Sequence, residues 1–482
     1  MTRTRLCRIA GLAIGVPATT FALLFAARPA VSTLTPALWL EDFHQLLQEM
    51  SSHYANLEWA KDQRRTDLPH LRAETEKALA NASDDADARR ILRGFVDAFG
   101  DGHLEIDWPT ADLPTPAETH SAGLCERLGY RPRGGAGVDF TMLPQFSSLT
   151  APRETFPAGV LRLSRGRTIG IVRIGVFTEK AYPDACNRVV QQLGMPDSAS
   201  CDSDCVERID LRAANLLTAA LAERVEQLRH AGATALLVDI TRNGGGSDWV
   251  EALARAVSSR QLRDARLVFI KHEHWTDRLD KALRDVEADL HDRHESGEVL
   301  RRAAATLKQA VAGSREPCDR KEVWTSGELH CSLLVTGLLF SSGVLPYAPP
   351  GSFAGFHSRT SLFRPDRYDY TESNHHLPLY VLVDGDTWSA AEYFAALLQD
   401  NKAATIIGDL TGGAGCGYTD GGIPTQLKNS KAEVRMPDCI RLRTDGSNEV
   451  NGVTPDVLVP WAHRDSPYQR VQKLFAVLQR LR

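Results

Sequence analysis

The sequence predicts an α/β protein with several parallel strands, an N-terminal helical cap and a helical insertion. Three observations support this fold class. Short apolar runs typical of buried strands alternate with longer segments of helical periodicity. Residues 36–100 show apolar side chains at helical spacing only, and residues 275–312 form a charged amphipathic stretch. Together these patterns indicate one large α/β core with helical additions.

Length and composition bound the class of protein. The chain has 482 residues, which is too long for one small domain and predicts two or three units. A hydrophobic content of 43% and a charged content of 24% are ordinary for a globular protein. The net charge is -5, so the sequence gives no reason to expect nucleic-acid binding.

Residues 1–32 have the pattern of a signal peptide. Arginines near the start precede a mostly apolar segment, Ile9 to Ala27, and Ala30-Val31-Ser32 is a small-residue cleavage site. We therefore expect a periplasmic or secreted protein with no membrane span after cleavage. An uncleaved membrane anchor is the alternative, because the apolar segment is near the lower length limit for crossing a bilayer.

The cysteine count agrees with export. Nine cysteines include Cys7 in the signal segment, and the even number that remains suggests disulfides. The sequence does not fix the pairing. Cys318 with Cys331 and Cys416 with Cys439 are reasonable pairs, since each would close one local loop.

The sequence predicts no metal or cofactor. Cys201 and Cys205 have a spacing seen in metal sites, but no matching second pair follows, and a disulfide involving Cys186 is the favoured use. His272 and His274, like the pair His375-His376, lack the carboxylate or cysteine spacing that would complete a site.

The elements follow in order along the chain. Residues 36–100 are predicted to be helical, and residues 101–168 to be a connector of loops and short strands, because they are rich in Pro and Gly. The α/β core covers residues 169–465, and a C-terminal helix covers 466–482. The predicted core strands are Ile169–Ile174, Ala235–Ile240, segments around Val268 and Leu334, Leu379–Val383 and Thr405–Ile407.

Helices and an insertion separate these strands. Long helical patterns cover Asp210–Ala231 and Trp249–Val257. In the insertion at residues 275–312, Leu279, Leu283, Val286 and Leu290 keep one apolar helical face, which predicts a helical hairpin. A lid over a functional site is one interpretation, and a solvated surface helix is the other.

Ser389 is the candidate nucleophile. It lies in a turn between the apolar run Leu379–Val383 and a clear helical pattern that starts at Tyr393. Backbone N–H groups and the helix dipole at such a turn stabilise negative charge, as acyl transfer requires. The alternative is that Ser389 and Glu392 form a capping box, with Ser389 serving as a helix cap.

Four segments, taken in order, carry a resemblance to a known family: Asp101–Leu104, Asp239–Gly246, Thr387–Asp400 and Asp445–Asp456. They resemble the serine peptidases of the C-terminal-processing protease and tricorn-core family over roughly residues 40–465. The resemblance implies a core related to the crotonase and ClpP superfamily, with repeated ββα units. It also implies hydrolysis of peptide bonds, so a peptide or protein is the expected substrate.

The resemblance assigns roles to individual residues. It implies that Ser389 is the nucleophile. Ala414 stands where the processing-protease branch has a lysine base, so a Ser–Lys dyad is not expected. The tricorn-like branch uses a histidine, which matches His103, and a glutamate that orients it, which matches Glu449. Gly102 occupies the position where that branch often has a serine.

The glycine turn Gly244-Gly245-Gly246 is the last candidate component of the site. The resemblance implies that Gly245, with Gly246 close behind, forms an oxyanion hole with the N–H of Ala390. A plain turn between strand and helix is the alternative.

Many relatives carry a PDZ domain, but the corresponding gap of about 60 residues is short for one, and none is predicted. Two other functions remain open at this point: a binding module without turnover on the same scaffold, and an esterase. The sequence leaves the cleavage preference and the oligomeric state open.

Overall fold

The computed structural model describes residues 34–109, 123–149, 155–292, 297–419 and 424–481. The predicted signal peptide at residues 1–32 lies outside this range, as do parts of the predicted connector. None of the helices within the described ranges has the length and apolarity needed to cross a membrane.

Helices and strands alternate along most of the chain. The helices are α1 (Pro36–His53), α2 (Leu57–Asp62), α3 (Leu68–Ala80), α4 (Asp85–Asp97), α5 (Leu124–Arg127), α6 (Pro183–Gln192), α7 (Ser203–His230), α8 (Val250–Val257), α9 (Glu273–Asp292), α10 (Gly297–Ser314), α11 (Arg359–Leu362), α12 (Ala390–Asp400) and α13 (Pro467–Leu478). The strands are β1 (Glu105–Asp107), β2 (Phe146–Ser148), β3 (Ala158–Arg162), β4 (Thr168–Arg173), β5 (Ala235–Asp239), β6 (Arg266–Ile270), β7 (Leu334–Phe340), β8 (Leu379–Val383), β9 (Thr405–Gly408), β10 (Thr425–Gln426), β11 (Glu433–Arg435), β12 (Cys439–Leu442) and β13 (Val457–Leu458).

A seven-stranded sheet in the order β13-β9-β8-β5-β4-β3-β2 forms the core. Strands β4, β5, β8, β9 and β13 are parallel, and β3 and β2 extend the sheet with antiparallel pairing. Because the central strands are buried on both faces, they read as continuous apolar runs in the sequence. The predicted α/β fold class is confirmed.

Alternate residues of the central strands face two different hydrophobic clusters. One face packs against α7, α8 and α12, with Val238 and Val381 among its residues. The other face, which includes Leu237 and Leu382, packs against α13. Because β5 and β8 are parallel neighbours, their carboxyl ends lie at the same edge of the sheet, and the turns that follow them meet there.

Two of the predicted core strands belong elsewhere. The segments around Val268 and Leu334 became β6 and β7, which pair with each other and with β12 in a separate antiparallel sheet, in the order β12-β6-β7. This sheet packs against the helical hairpin of α9 and α10, burying residues such as Val286 and Leu307. The sequence of a short apolar strand does not show which sheet the strand joins. Sheet membership depends on which other strand it pairs with and in what register.

The N-terminal helices pack as a unit beside the core. Phe43 and Phe95 lie edge to face, with ring centroids 4.9 Å apart, in a cluster that also includes Trp324. Strand β1 pairs with β11, which pairs with β10, so the segment just after the helices is held by the C-terminal part of the chain. That pairing brings His103, two residues before β1, toward the core.

Four disulfides lie within the described residues. Cys318–Cys331 and Cys416–Cys439 are both present, as expected. The expected bond between Cys186 and the Cys201/Cys205 pair is wrong: Cys186 bonds Cys125, and Cys201 bonds Cys205. Cys205 lies in the first turn of α7, so the four-residue loop closes locally.

Candidate active site

Ser389 lies in a sharp turn between β8 and α12. Its backbone has φ 56° and ψ -121°, a conformation that non-glycine residues rarely adopt and that costs about 1–3 kcal/mol. The preceding residue is held in place, because the Trp388 N–H donates to the carbonyl of Asn243 at 2.9 Å. The turn after β5 therefore fixes the turn that carries Ser389.

The Oγ atom of Ser389 lies 3.0 Å from Nε2 of His103. The other ring nitrogen, Nδ1, is hydrogen-bonded to the carbonyl oxygen of Ala414. A carbonyl only accepts, so Nδ1 carries the proton and Nε2 of the neutral ring is an acceptor. The serine hydroxyl is thus the donor to His103, which is the orientation that a general base requires.

The backbone of His103 is fixed by a buried carboxyl group. Its N–H donates to Oδ1 of Asp101 at 3.0 Å. The other oxygen of Asp101 accepts from the Asn56 amide at 2.7 Å and from the Tyr54 hydroxyl at 3.1 Å. The N-terminal helical region therefore contributes directly to the position of the histidine.

Burial and a neighbouring cation keep His103 neutral. The pKa of His103 is lowered to about 4, with burial as the largest cause and the positive charge of Arg441 as the next. Hydrogen bonds to the backbone of Ala414 and Cys416 act in the opposite direction. At neutral pH the imidazole is therefore free to accept a proton.

Glu392 connects the serine turn to the loop that holds His103. Its fully buried carboxyl group accepts from the Ser389 N–H at 2.9 Å and from the Ala414 N–H at 2.8 Å. It also accepts from the Gly413 N–H and the Thr411 hydroxyl. The sequence pattern indicated only a capping box here, and the contacts with the loop were missed because they span about twenty residues of intervening chain.

Glu449 is buried, and its carboxylate accepts hydrogen bonds from Arg441. The two side chains form two contacts, Nε to Oε2 at 2.5 Å and Nη2 to Oε1 at 3.1 Å. Arg441 also donates to the carbonyl of Gly415 at 2.8 Å, next to the Ala414 carbonyl that holds His103. Among the described residues no hydrogen bond joins Glu449 to His103 directly, so its orienting role stays a prediction. Arg441 was not anticipated from the sequence.

The glycine turn lies against the Ser389 turn. A Cβ atom on Gly245 would lie 2.8 Å from the backbone nitrogen of Ala390, so only glycine fits there. The Gly245 N–H already donates to the Asn243 side chain at 2.9 Å. The N–H groups of Gly246 and Ala390 have no hydrogen-bond partner within the described ranges, and both residues line the cavity that contains Ser389. The oxyanion-hole assignment stays a prediction, with Gly246 better placed than Gly245 as its donor.

A cavity of about 340 Å³ opens beside Ser389 and His103. Its walls include Trp275 and Arg278 of α9, so the helical insertion borders the site. The charged side chains that line it are Asp248, Glu251, Arg278, Arg364 and Arg441. A partly enclosed cavity of this size, next to a serine and a neutral histidine, suits acyl transfer on a ligand that brings a side chain into it.

The histidines considered as metal ligands do not line this cavity. His272 lies 2.9 Å from His53 through one ring nitrogen and 2.6 Å from His274 through the other, so the rings form a chain. The Nε2 atom of His375 lies 2.9 Å from the Val257 carbonyl. The described residues contain no group of three or more His, Cys, Asp or Glu side chains arranged to hold a metal ion.

Fold and sequence together define a member of a peptidase family. The model of peptidase family S41 matches residues 208–459, which is more than half of the chain, and the chain belongs to that family. The match includes the glycine turn, Ser389 and Glu449.

The individual relatives that the chain matches are only distantly similar to it in sequence. A protein of Chlamydia pneumoniae is 27% identical over 246 residues, covering 48% of this chain and 34% of the relative. An uncharacterized protein of Chlamydia muridarum is 26% identical over 261 residues, covering 51% of this chain and 38% of the relative. The chain thus spans little more than a third of the length of these relatives.

Solved structures extend the similarity to nearly the whole fold. Mature CPAF is 14% identical with a TM-score of 0.58, covering 92% of this chain and 97% of that one. Mature CPAF complexed with lactacystin gives 15% identity and a TM-score of 0.56, covering 92% and 98%. At these identities the likeness establishes the fold alone.

Proposed function

We propose that the protein is an exported serine peptidase with Ser389 as nucleophile and His103 as general base. The observation that carries the proposal is the 3.0 Å separation of Ser389 Oγ and His103 Nε2, with Nδ1 engaged by a backbone carbonyl. This arrangement fixes the tautomer that accepts the serine proton. Membership of family S41 supports the peptide as substrate.

In the proposed reaction, Ser389 Oγ forms a bond to the peptide carbonyl carbon while its proton moves to His103 Nε2. The imidazolium then gives that proton to the leaving amine as the C–N bond breaks. Burial and the charge of Arg441 disfavour the imidazolium, so the proton passes readily to the amine. Water activated by the same nitrogen then hydrolyses the acyl-enzyme.

The tetrahedral oxyanion would be bound by backbone N–H groups. We assign Gly246 and Ala390 to this role, since both N–H groups lack hydrogen-bond partners among the described residues and Ala390 begins α12. Each such donor contributes about 3–4 kcal/mol to the transition state. Gly245 supports the pair by allowing the two turns to approach closely.

Glu449 acts indirectly in this proposal. Its carboxylate holds Arg441, and Arg441 holds the carbonyl of Gly415 beside the carbonyl that orients His103. Glu449 is therefore proposed as a positioning residue. Its effect is expected on the orientation and the pKa of His103.

We propose that the protein is exported because it contains several disulfides. The four disulfides of the described residues are typical of proteins that fold in an oxidising compartment. The periplasm or the extracellular space fits this requirement.

The deciding experiment is labelling of the protein with a fluorophosphonate probe. We expect label on the wild type, none on Ser389→Ala and little on His103→Ala. Ser247→Ala is the matched control, because Ser247 lines the same cavity and its hydroxyl donates to the Phe177 carbonyl. Its labelling should stay close to that of the wild type.

A folded wild-type protein that takes no label would reject the proposal and favour the binding module. Label combined with hydrolysis of an ester but not of the matching peptide would favour the esterase.

A further inference from the structure

Glu251 is a buried carboxyl group at the proposed active-site cavity. It belongs to the first turn of α8, five residues after Gly246, and is only 2% exposed. It lines the cavity together with Ser389 and His103. Its Oε2 atom has no hydrogen-bond partner among the described residues. Buried polar atoms are nearly always satisfied, so an unsatisfied carboxyl oxygen in a substrate cavity indicates a missing donor.

Three arginines near Glu251 are paired with other carboxylates. Arg364 pairs with Asp248 at 2.9 Å, and Arg441 pairs with Glu449. Beneath the cavity, the fully buried Arg255 pairs with the equally buried Asp264. None of these arginines forms an ion pair with Glu251 in the described part of the chain. Among the described residues the carboxyl group of Glu251 therefore has no ion-pair partner of its own.

Part of the cavity wall is apolar. Leu267, Val250 and the ring of Trp275 line it, and Arg278 lies over that ring at 5.3 Å. A long side chain with an aliphatic stem and a cationic end can pack along such a wall and carry its charge to a buried acid. Lysine and arginine have this construction.

We propose that Glu251 makes the peptidase selective for substrates with lysine or arginine on the acyl side of the cleaved bond. The inference rests on the proposed function, since it assigns the substrate class of that same site. The cationic end of the substrate donates to Oε2 of Glu251. The aliphatic stem lies along Leu267 and Trp275.

The charge state of Glu251 adds a pH signature. Burial, followed by the charge of Asp264, raises the pKa of Glu251 to about 8. A bound ammonium group favours the carboxylate, so the acid releases its proton to solvent when the cation binds. The charged and titratable groups that surround it are Asp248, Arg255, Asp264, Arg364, Tyr368, Tyr393 and Arg441.

The test uses two peptides that differ at one position, lysine or its uncharged analogue norleucine, and the full chain as enzyme. For the wild type at pH 8 we expect kcat/KM to be about tenfold or more higher for the lysine peptide, the effect of a charged hydrogen bond. The ratio should rise from pH 6 to pH 8, and titration of His103 cancels in it. Glu251→Gln should bring the ratio to within about threefold of one.

A second variant leaves Glu251 in place. Asp248→Asn frees Arg364 to neutralise Glu251, so the lysine preference should fall there too. The control is Glu298→Gln, on the exposed side of the insertion helix α10, which should keep the full ratio.

Fluorophosphonate labelling of each variant separates the two levels of the argument. An unlabelled wild type rejects the proposed function and this substrate class with it. A labelled wild type that cleaves both peptides equally, prefers an acidic side chain, or keeps its lysine preference in Glu251→Gln overturns the inference while the peptidase stands.

Discussion

Trp388 occupies the space that a side chain at Gly102 would need. A Cβ atom on Gly102 would lie 2.3 Å from Cζ3 of the Trp388 ring. In the tricorn-like branch that this chain resembles, a serine often stands at the position of Gly102, next to the histidine. In this chain Nδ1 of His103 donates its orienting hydrogen bond to the Ala414 carbonyl. The indole next to Ser389 and the glycine next to His103 thus form a complementary pair.

Gly102→Ala should therefore impair the site. The new methyl group must displace either the Trp388 ring or His103, at a cost of about 1–3 kcal/mol for overpacking. We expect kcat/KM to fall by about tenfold or more, with part of it regained when Trp388→Leu is added. The control is Gly94→Ala on α4, where a Cβ atom meets nothing within 4 Å, and its activity should be unchanged. A fully active Gly102→Ala enzyme would show that the site adapts without cost.

The pH profile should report the environment of His103. The pKa of His103 is lowered to about 4 by burial and by Arg441, and the neutral ring is the proposed base. For the uncharged norleucine peptide, kcat/KM should therefore stay high at pH 6 and fall only as pH decreases through about 4, with circular dichroism as the check on folding. An acidic limb near the ordinary imidazole pKa of about 6.5 would contradict this environment.

Arg441→Gln should move that acidic limb toward higher pH. The substitution removes the positive charge that lowers the pKa of His103 and leaves the buried carboxyl of Glu449 without its partner. Both changes favour the imidazolium. Arg441→Lys keeps the charge and is the matched control. If both variants keep the wild-type profile, Arg441 acts only through packing.

Glu392→Gln should lower activity through position rather than binding. The carboxylate accepts from the N–H groups of Ser389, Gly413 and Ala414, and an amide nitrogen cannot accept. Each donor left unpaired costs about 1–3 kcal/mol. We expect kcat to fall more than KM rises, along with a lower Tm. A lower Tm with unchanged kcat would make Glu392 purely structural.

The disulfide Cys416–Cys439 should matter for activity more than its neighbour Cys201–Cys205. Cys416 follows the loop that holds His103, and the bond closes a separation of 23 residues, compared with 4 for the other. Loss of the disulfide that closes the longer loop lowers the free energy of unfolding by about 2–4 kcal/mol. Peptidase activity of the two double alanine variants provides the comparison. Equal activity would show that the loop is held by Glu392 and Arg441 alone.

The sequence was sufficient for the elements and for the main chemical groups of the candidate site. Apolar runs such as Ala235–Ile240 identified the buried strands, because a strand covered on both faces has little polar surface. The turn carrying Ser389 and the segment carrying His103 could be selected by resemblance. Their 3.0 Å approach across 286 residues required the folded chain.

Tertiary structure alone decided how these groups are held. Nothing local indicated that Glu392 would bind the loop at Ala414, or that Glu449 would reach that loop through Arg441. The amide of Gly245 was favoured as a donor, yet it is occupied by the Asn243 side chain. Sequence patterns report the period and polarity of a segment. Hydrogen-bond partners depend on which distant segments meet and in what register, and that is fixed only when the sheet closes and the loops pack against it.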